Sequence, residues 1–284
     1  MSLPKSKKTG LSSGVAFLIV LATCAPESSD GGDETENPGV EEAFRQRCEL
    51  SCTGAARRWD CPVPATCVSD CIATTAGLEN LCGLCVASIS FLVDNGDGTC
   101  SARPGVASSQ DCEYACARGG HRPRSDFRAE CEVDCRIEGE DYGCEVPLSC
   151  VPDCMTMTFG LETLCGKCVA DDSRINKDAT GACEAFPGDS TGIVCGELCA
   201  PGTHSTRPDF RAECEVGCRL WSERFGCPMP PSCIDDCVVH TQGLETQCGK
   251  CIALNTTIVD AGNGQCRSEP GDVDRYPCSA VCAQ

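Results

Sequence analysis

The chain has 284 residues, a formal net charge of −19 and 31 cysteines, with aromatics at only 5 %. Cysteine at this density exceeds the ~8–10 % that marks a disulfide scaffold, and so few aromatics leave little material for a large conventional core. Such staples persist only in oxidising compartments, and an acidic surface repels nucleic-acid phosphates and anionic headgroups, which disfavours nucleic-acid binding. A partner selected by electrostatics would be basic, although the charge serves solubility equally well.

Three lysines, Lys5, Lys7 and Lys8, precede the apolar run GVAFLIVLA from Gly14 to Ala22. Such a run, at ~1.5 Å per residue, cannot cross a ~30 Å hydrocarbon layer, so residues 1–23 are expected to be an export signal rather than a transmembrane helix. Its removal takes the net charge from −19 to −22. Residues 25–42 then hold seven acids and no base among Gly, Ser, Pro and Asn. Residues 24–43 are therefore expected to form a self-repelling, disordered tether.

Beyond the tether the chain repeats itself. FRQRCELSC begins at Phe44, FRAECEVDC at Phe127 and FRAECEVGC at Phe210, a period of 83 residues. Each copy carries the spacing C-x3-C-x8-C-x5-C-x3-C-x10-C-x2-C-x14-C-x11-C-x3-C without insertion or deletion. The first set is Cys48, Cys52, Cys61, Cys67, Cys71, Cys82, Cys85, Cys100, Cys112 and Cys116. The second is Cys131, Cys135, Cys144, Cys150, Cys154, Cys165, Cys168, Cys183, Cys195 and Cys199. The third is Cys214, Cys218, Cys227, Cys233, Cys237, Cys248, Cys251, Cys266, Cys278 and Cys282. Repeats are assigned to residues 44–117, 127–200 and 210–284, with linkers at 118–126 and 201–209. The first copy is the most divergent.

Phe127, Cys131 and Cys135 fall on one helical face, as do their counterparts in the other copies. Asp126 and Asp209 precede these segments as N-cap candidates. A second short helix is expected to carry Cys67/Cys71, Cys150/Cys154 and Cys233/Cys237, ended by Gly77, Gly160 and Gly243. A third starts at GLE and carries the C-x-x-C pair. Cysteines four apart on one helix point the same way and make a poor disulfide with each other, so they should bond across to a partner helix. An antiparallel hairpin would join Cys48 to Cys71 and Cys52 to Cys67. This arrangement resembles the plant helical-hairpin peptides, with Cys61 as an addition in the loop. Ten cysteines leave many connectivities open. SISFLVDNGDGTC carries an Asn-Gly turn and predicts a small β-hairpin, and Pro104, Pro187 and Pro270 mark a further turn. The fold class is thus small and disulfide-rich: three tandem helix-rich cysteine repeats, each with a short β-hairpin.

Three sets of ten leave one cysteine over, Cys24, and an odd thiol in an exported protein requires a partner or a modification. Leu21-Ala22-Thr23-Cys24 resembles the lipobox of bacterial lipoproteins, with Thr23 in place of the usual Gly or Ala. The resemblance implies that a lipid is attached to Cys24 as the mature N-terminus, and Ala25 after it fits the outer membrane of a Gram-negative cell. Multiple acyl chains would anchor stably where one would not. Cleavage near Ala25 would instead discard Cys24 and release the protein.

Other chemistry is weakly signalled. CGLC at Cys82 and CGKC at Cys165 and Cys248 lack the βαβ context of a redox pair. Structural zinc would suit paired C-x-x-C motifs, and each copy has one. DNGDG from Asp94 lacks the alternating ligands of a calcium loop and reads as a turn. His121 and His204 are expected to be solvated linker side chains. Acids recur at Glu49/Glu132/Glu215, Asp70/Asp153/Asp236 and Glu79/Glu162/Glu245 without a nucleophile that recurs beside them. An aromatic stands two places before the third cysteine of each copy: Trp59, Tyr142 and Phe225. These rings either pack over the hairpin bridges or form an exposed recognition row.

The expectation is a non-enzymatic, cofactor-free, lipid-anchored surface protein acting as a structural or protein-binding module. A freely secreted inhibitor or toxin-like effector is the alternative, with thiol-redox or metal handling behind it. In a eukaryotic setting Asn255 in NTT would be a glycosylation acceptor.

Overall fold

A computed structural model of the chain describes residues 38–283 except 118–120, 122–123, 125, 178–179, 201–203 and 263–264. The expected export signal, Cys24 and most of the expected tether lie outside the described residues. The first module comprises α1 (Pro38–Trp59), α2 (Cys67–Thr75), α3 (Asn80–Ile89), β1 (Phe91–Asp94) and β2 (Cys100–Arg103). The second has α4 (Arg128–Tyr142), α5 (Cys150–Thr158), α6 (Thr163–Asp171), β3 (Arg174–Lys177) and β4 (Cys183–Phe186). The third has α7 (Arg211–Phe225), α8 (Cys233–Thr241), α9 (Thr246–Leu254), β5 (Thr257–Gly262), β6 (Gln265–Glu269) and a closing α10 (Cys278–Cys282).

The first helix starts earlier than expected. Residues 38–43, assigned to the tether by their acids, form its opening turns. Pro38 suits a first helical position because its missing N–H would have no partner there. The caps of the later copies also shift by one residue. Phe127 and Phe210 are the N-caps, while Asp126 and Asp209 accept from the N–H of Arg128 and Arg211, each at 3.2 Å. Gly77, Gly160 and Gly243 follow α2, α5 and α8 with φ of 71°, 75° and 73°, the left-handed conformation in which a β-carbon costs energy.

Fifteen disulfides use all thirty cysteines from Cys48 to Cys282 in one pattern: first to fifth, second to fourth, third to eighth, sixth to tenth and seventh to ninth. The hairpin bridges Cys48–Cys71 and Cys52–Cys67 are as expected. Cys61 ties the helical loop to β2 through Cys100, and the C-x-x-C helix is tied to the module's end through Cys82–Cys116 and Cys85–Cys112. Sulfur, rather than aliphatic bulk, forms much of each buried cluster.

The central glycine of C-G-x-C has a packing cause. A β-carbon at Gly83, Gly166 or Gly249 would lie 2.3, 2.2 or 2.2 Å from the ring of Phe44, Phe127 or Phe210. These rings are buried beneath the third helix, so the motif's glycine makes room for the first helix. Each module then turns into a two-stranded antiparallel hairpin. Leu92, Ile175 and Ile258 point inward from the outer strand and are buried. Asp94 and Asp97 accept from the N–H of Gly96 and Thr99, so DNGDG is a side-chain-braced turn.

Successive modules dock through buried charge. Lys167 on α6 bonds Glu130 on α4 at 2.5 Å, Arg124 bonds the same carboxylate oxygen, and the ammonium also donates to the carbonyl of Ala73 in the first module. Lys250, Glu213 and Arg207 repeat this onto the carbonyl of Thr156 in the second module. Arg136 pairs with Asp70 and Arg219 with Asp153 across the same junctions. Leu164 of the second module packs among Leu78, Cys82 and Val86 of the first. The linker histidines are not solvated as expected: His121 accepts from the N–H of Glu79 at 3.4 Å, and His204 lies 3.2 Å from the carbonyl of Cys199. Both are half-buried, because the linkers run along the modules and deliver Arg124 and Arg207 to the junctions.

Candidate functional site

The cysteines are spent on structure. In none of the three C-x-x-C motifs do the two sulfurs bond each other, and no described cysteine is a thiol. Glu79, Glu162 and Glu245 are N-caps whose carboxylates accept from the N–H of Cys82, Cys165 and Cys248 at 2.9, 2.7 and 2.6 Å. Asp70 and Asp153 are junction partners, while Asp236 accepts from the hydroxyl of Ser268 at 2.5 Å.

Trp59, Tyr142 and Phe225 end α1, α4 and α7 with 49 %, 44 % and 54 % of each residue exposed. Each is half exposed, so none of the three is fully sealed over the hairpin bridges. The three rings stand in separate modules and do not touch one another among the described contacts. What distinguishes them is the groove beside each, between the first helix, the end of the third helix and the outer strand.

The second and third modules fill that groove from within. In the third, Trp221 lies in it, stacked on Phe225 at 5.7 Å between centroids. Its indole N–H donates to the carbonyl of Leu254 at 3.2 Å, and the Arg224 guanidinium sits 4.9 Å over the ring. In the second, the matching position is Glu138, which accepts from the N–H of Ile175 at 3.3 Å. Acids crowd around it. Burial, with Asp171, Glu138 and Asp172 nearby, holds Asp134 well above the usual carboxylate range. Burial likewise raises Asp171 to about 7, against the pull of Lys167.

The first module leaves the groove open. Ala55 occupies the place of Trp221 and Glu138, beside Gly54, above which a β-carbon would meet nothing within 4 Å. The cleft has a volume of about 810 Å³, bounded by Leu50, Arg58 and Trp59 on α1 and by Ser88 to Asp94 on the other side. Leu50, Phe91 and Val93 present exposed apolar surface along it. A second concavity, about 790 Å³, lies between the second and third modules, where Asp153 and Glu223 are already bonded to Arg219.

No family model, curated protein or solved structure matches the chain. Its chemistry is therefore read from its own three modules, which serve as internal comparisons. The heavy disulfide bonding marks an extracellular or secreted protein, and no helix among the described residues is long and apolar enough to cross a membrane.

The buried Lys167–Glu130 and Lys250–Glu213 pairs were missed in the sequence, where no basic partner was matched to the recurring acids. A signal exists. Where the second and third copies have Glu and Lys, the first has Arg47 and Leu84, so both positions change together.

Proposed function

We propose that the protein is a lipid-anchored surface protein whose stapled modules act as a structural or protein-binding array. The observation that carries this reading is the cysteine balance. Every cysteine from Cys48 to Cys282 is consumed within its own module, which leaves Cys24 without a partner in the chain. A lipobox-like context at that residue accounts for it, and an acidic spacer to residue 37 would hold the array away from the membrane. Buried ion pairs at both junctions favour a fixed, repeated surface over independent beads, which suits multivalent contact.

The reading is non-enzymatic. The sulfurs are bonded, Lys167 and Lys250 are buried in ion pairs, and the best-matched recurring acids cap helices. Intact mass of the native protein tests it. A chain beginning at Cys24 and carrying acyl mass, with partition into detergent, is the expected result. An unmodified N-terminus downstream of Cys24, in protein recovered from the medium, would replace the anchored reading with that of a freely secreted inhibitor or effector.

A further inference from the structure

We propose that the open groove of the first module is a docking site for the aromatic side chain, tryptophan foremost, of an extended segment of a partner polypeptide. The inference rests on the binding-module reading above and names where and how it binds. The third module displays the filled state. There an indole is held by three features: a stacked ring at Phe225, a guanidinium over its face at Arg224, and a carbonyl acceptor at Leu254.

The first module keeps all three features and lacks only the indole. Trp59 stands where Phe225 does, Arg58 where Arg224 does, and Ser88 where Leu254 does. Arg58 is exposed and makes no ion pair among the described residues. The Ser88 carbonyl receives only a long 3.5 Å contact from the Ser51 hydroxyl. Electrostatics selects the occupant. A cation facing a cleft with aromatic and aliphatic walls is complemented by the negative face of a π-system, and the weakly engaged Ser88 carbonyl by a ring N–H.

The backbone edge indicates a polypeptide rather than a lone ring. In the second module the N–H of Ile175 is satisfied by Glu138. In the first, the corresponding N–H belongs to Leu92, and Ala55 has no carboxylate to offer it. A single main-chain carbonyl of the segment, entering the groove between α1 and β1 beside the aromatic side chain, would take that place, so that a main-chain bond adds to the side-chain slot. Trp59, Phe91 and Val93 then cover the segment on either side.

The test uses the full mature chain, labelled for NMR, with N-acetyl-tryptophanamide as the probe. Saturable shifts confined to the groove, at Ala55, Trp59 and Leu92, are expected. Ala55→Trp refills the slot as the third module does and should weaken the probe roughly tenfold or more. Trp59→Ala and Arg58→Ala, both at exposed positions, should weaken it with the disulfide pattern intact. Shifts spread over all three modules, no saturation, or equal binding by Ala55→Trp would overturn the proposal. A wild-type dimer that Ala55→Trp converts to a monomer would assign the groove to a second copy and equally overturn a separate partner. If a lipidated, displayed chain fails to bind the probe, the docking site falls while the anchored-module reading stands.

Discussion

The first module and the two that follow share one covalent frame and differ in what lies on it. Bridges of identical sequence separation, 23, 15, 39, 34 and 27 residues, recur in all three. Yet at the face that docks onto a preceding module, Glu130, Arg136 and Lys167 are replaced in the first by Arg47, Thr53 and Leu84. Among the described residues those three positions make no ion pair to another module, so they are released from pairing. The groove follows the same logic: self-filled in the later modules, open in the first. When sulfur holds the fold, side chains elsewhere can diverge without loss of the frame.

The sharpest way to break this contrast is to exchange the docking lysine. Lys167→Leu removes the more deeply buried of the two cations that hold Glu130, inside a site where the Lys167 and Glu130 side chains are at most 3 % exposed, and leaves Arg124 as the remaining partner. Removing one partner of a buried pair costs up to about 3–5 kcal/mol, and with Arg124 still on the carboxylate thermal unfolding with the disulfides intact should show a loss toward the lower end of that range. The reverse exchange, Leu84→Lys, stands at a half-buried position that meets no acid of another module among the described residues and should change stability by less than about 0.5 kcal/mol. Equal losses from the two would remove the distinction between docking and free faces.

The acids in the second module's groove give the next effect. Asp171 has an ordinary carboxyl pKa of 3.8 when unfolded and about 7 in the fold. Its contribution is therefore fully favourable below about pH 3.8 and is lost as the pH rises through 7. Asp171→Ser, which copies Ser88 of the first module, should remove this loss. The wild-type minus variant stability difference should fall across that window by up to about 4 kcal/mol, at ~1.4 kcal/mol per pKa unit. A pH-independent difference would contradict the assignment.

A smaller effect tests the end of α1. Asp60 adopts φ of 53° where the later copies place Gly143 and Gly226. Asp60→Gly should stabilise the first module by roughly 0.5–1 kcal/mol, read as a higher denaturation midpoint.

Local elements were legible because their signals are local. Cysteines four apart on a helix, glycines after α2, α5 and α8, and Asn-Gly in a hairpin each act within a few residues. The two hairpin bridges followed from which way neighbouring cysteines point. The bonds from Cys61 to Cys100 and from Cys82 to Cys116 span 39 and 34 residues and depend on how helices and strands fold back. Docking was hidden for the same reason. Arg124 and His121 sit in a segment with the composition of a linker, and only the neighbouring module shows what they touch. The groove emerged from comparing copies: Ala55 alone says nothing, whereas Ala55 beside Glu138 and Trp221 identifies a vacated position.

The most direct measurement is a disulfide map of the native, unreduced protein by peptide mass spectrometry. Cross-linked peptides joining Cys61 to Cys100, Cys82 to Cys116 and Cys85 to Cys112, with the same ranks in the later copies and no free thiol after Cys24, are the predicted result. Bonds closed within a C-x-x-C motif, bonds between modules, or reduced cysteines in a folded chain would contradict a frame held by sulfur within each module.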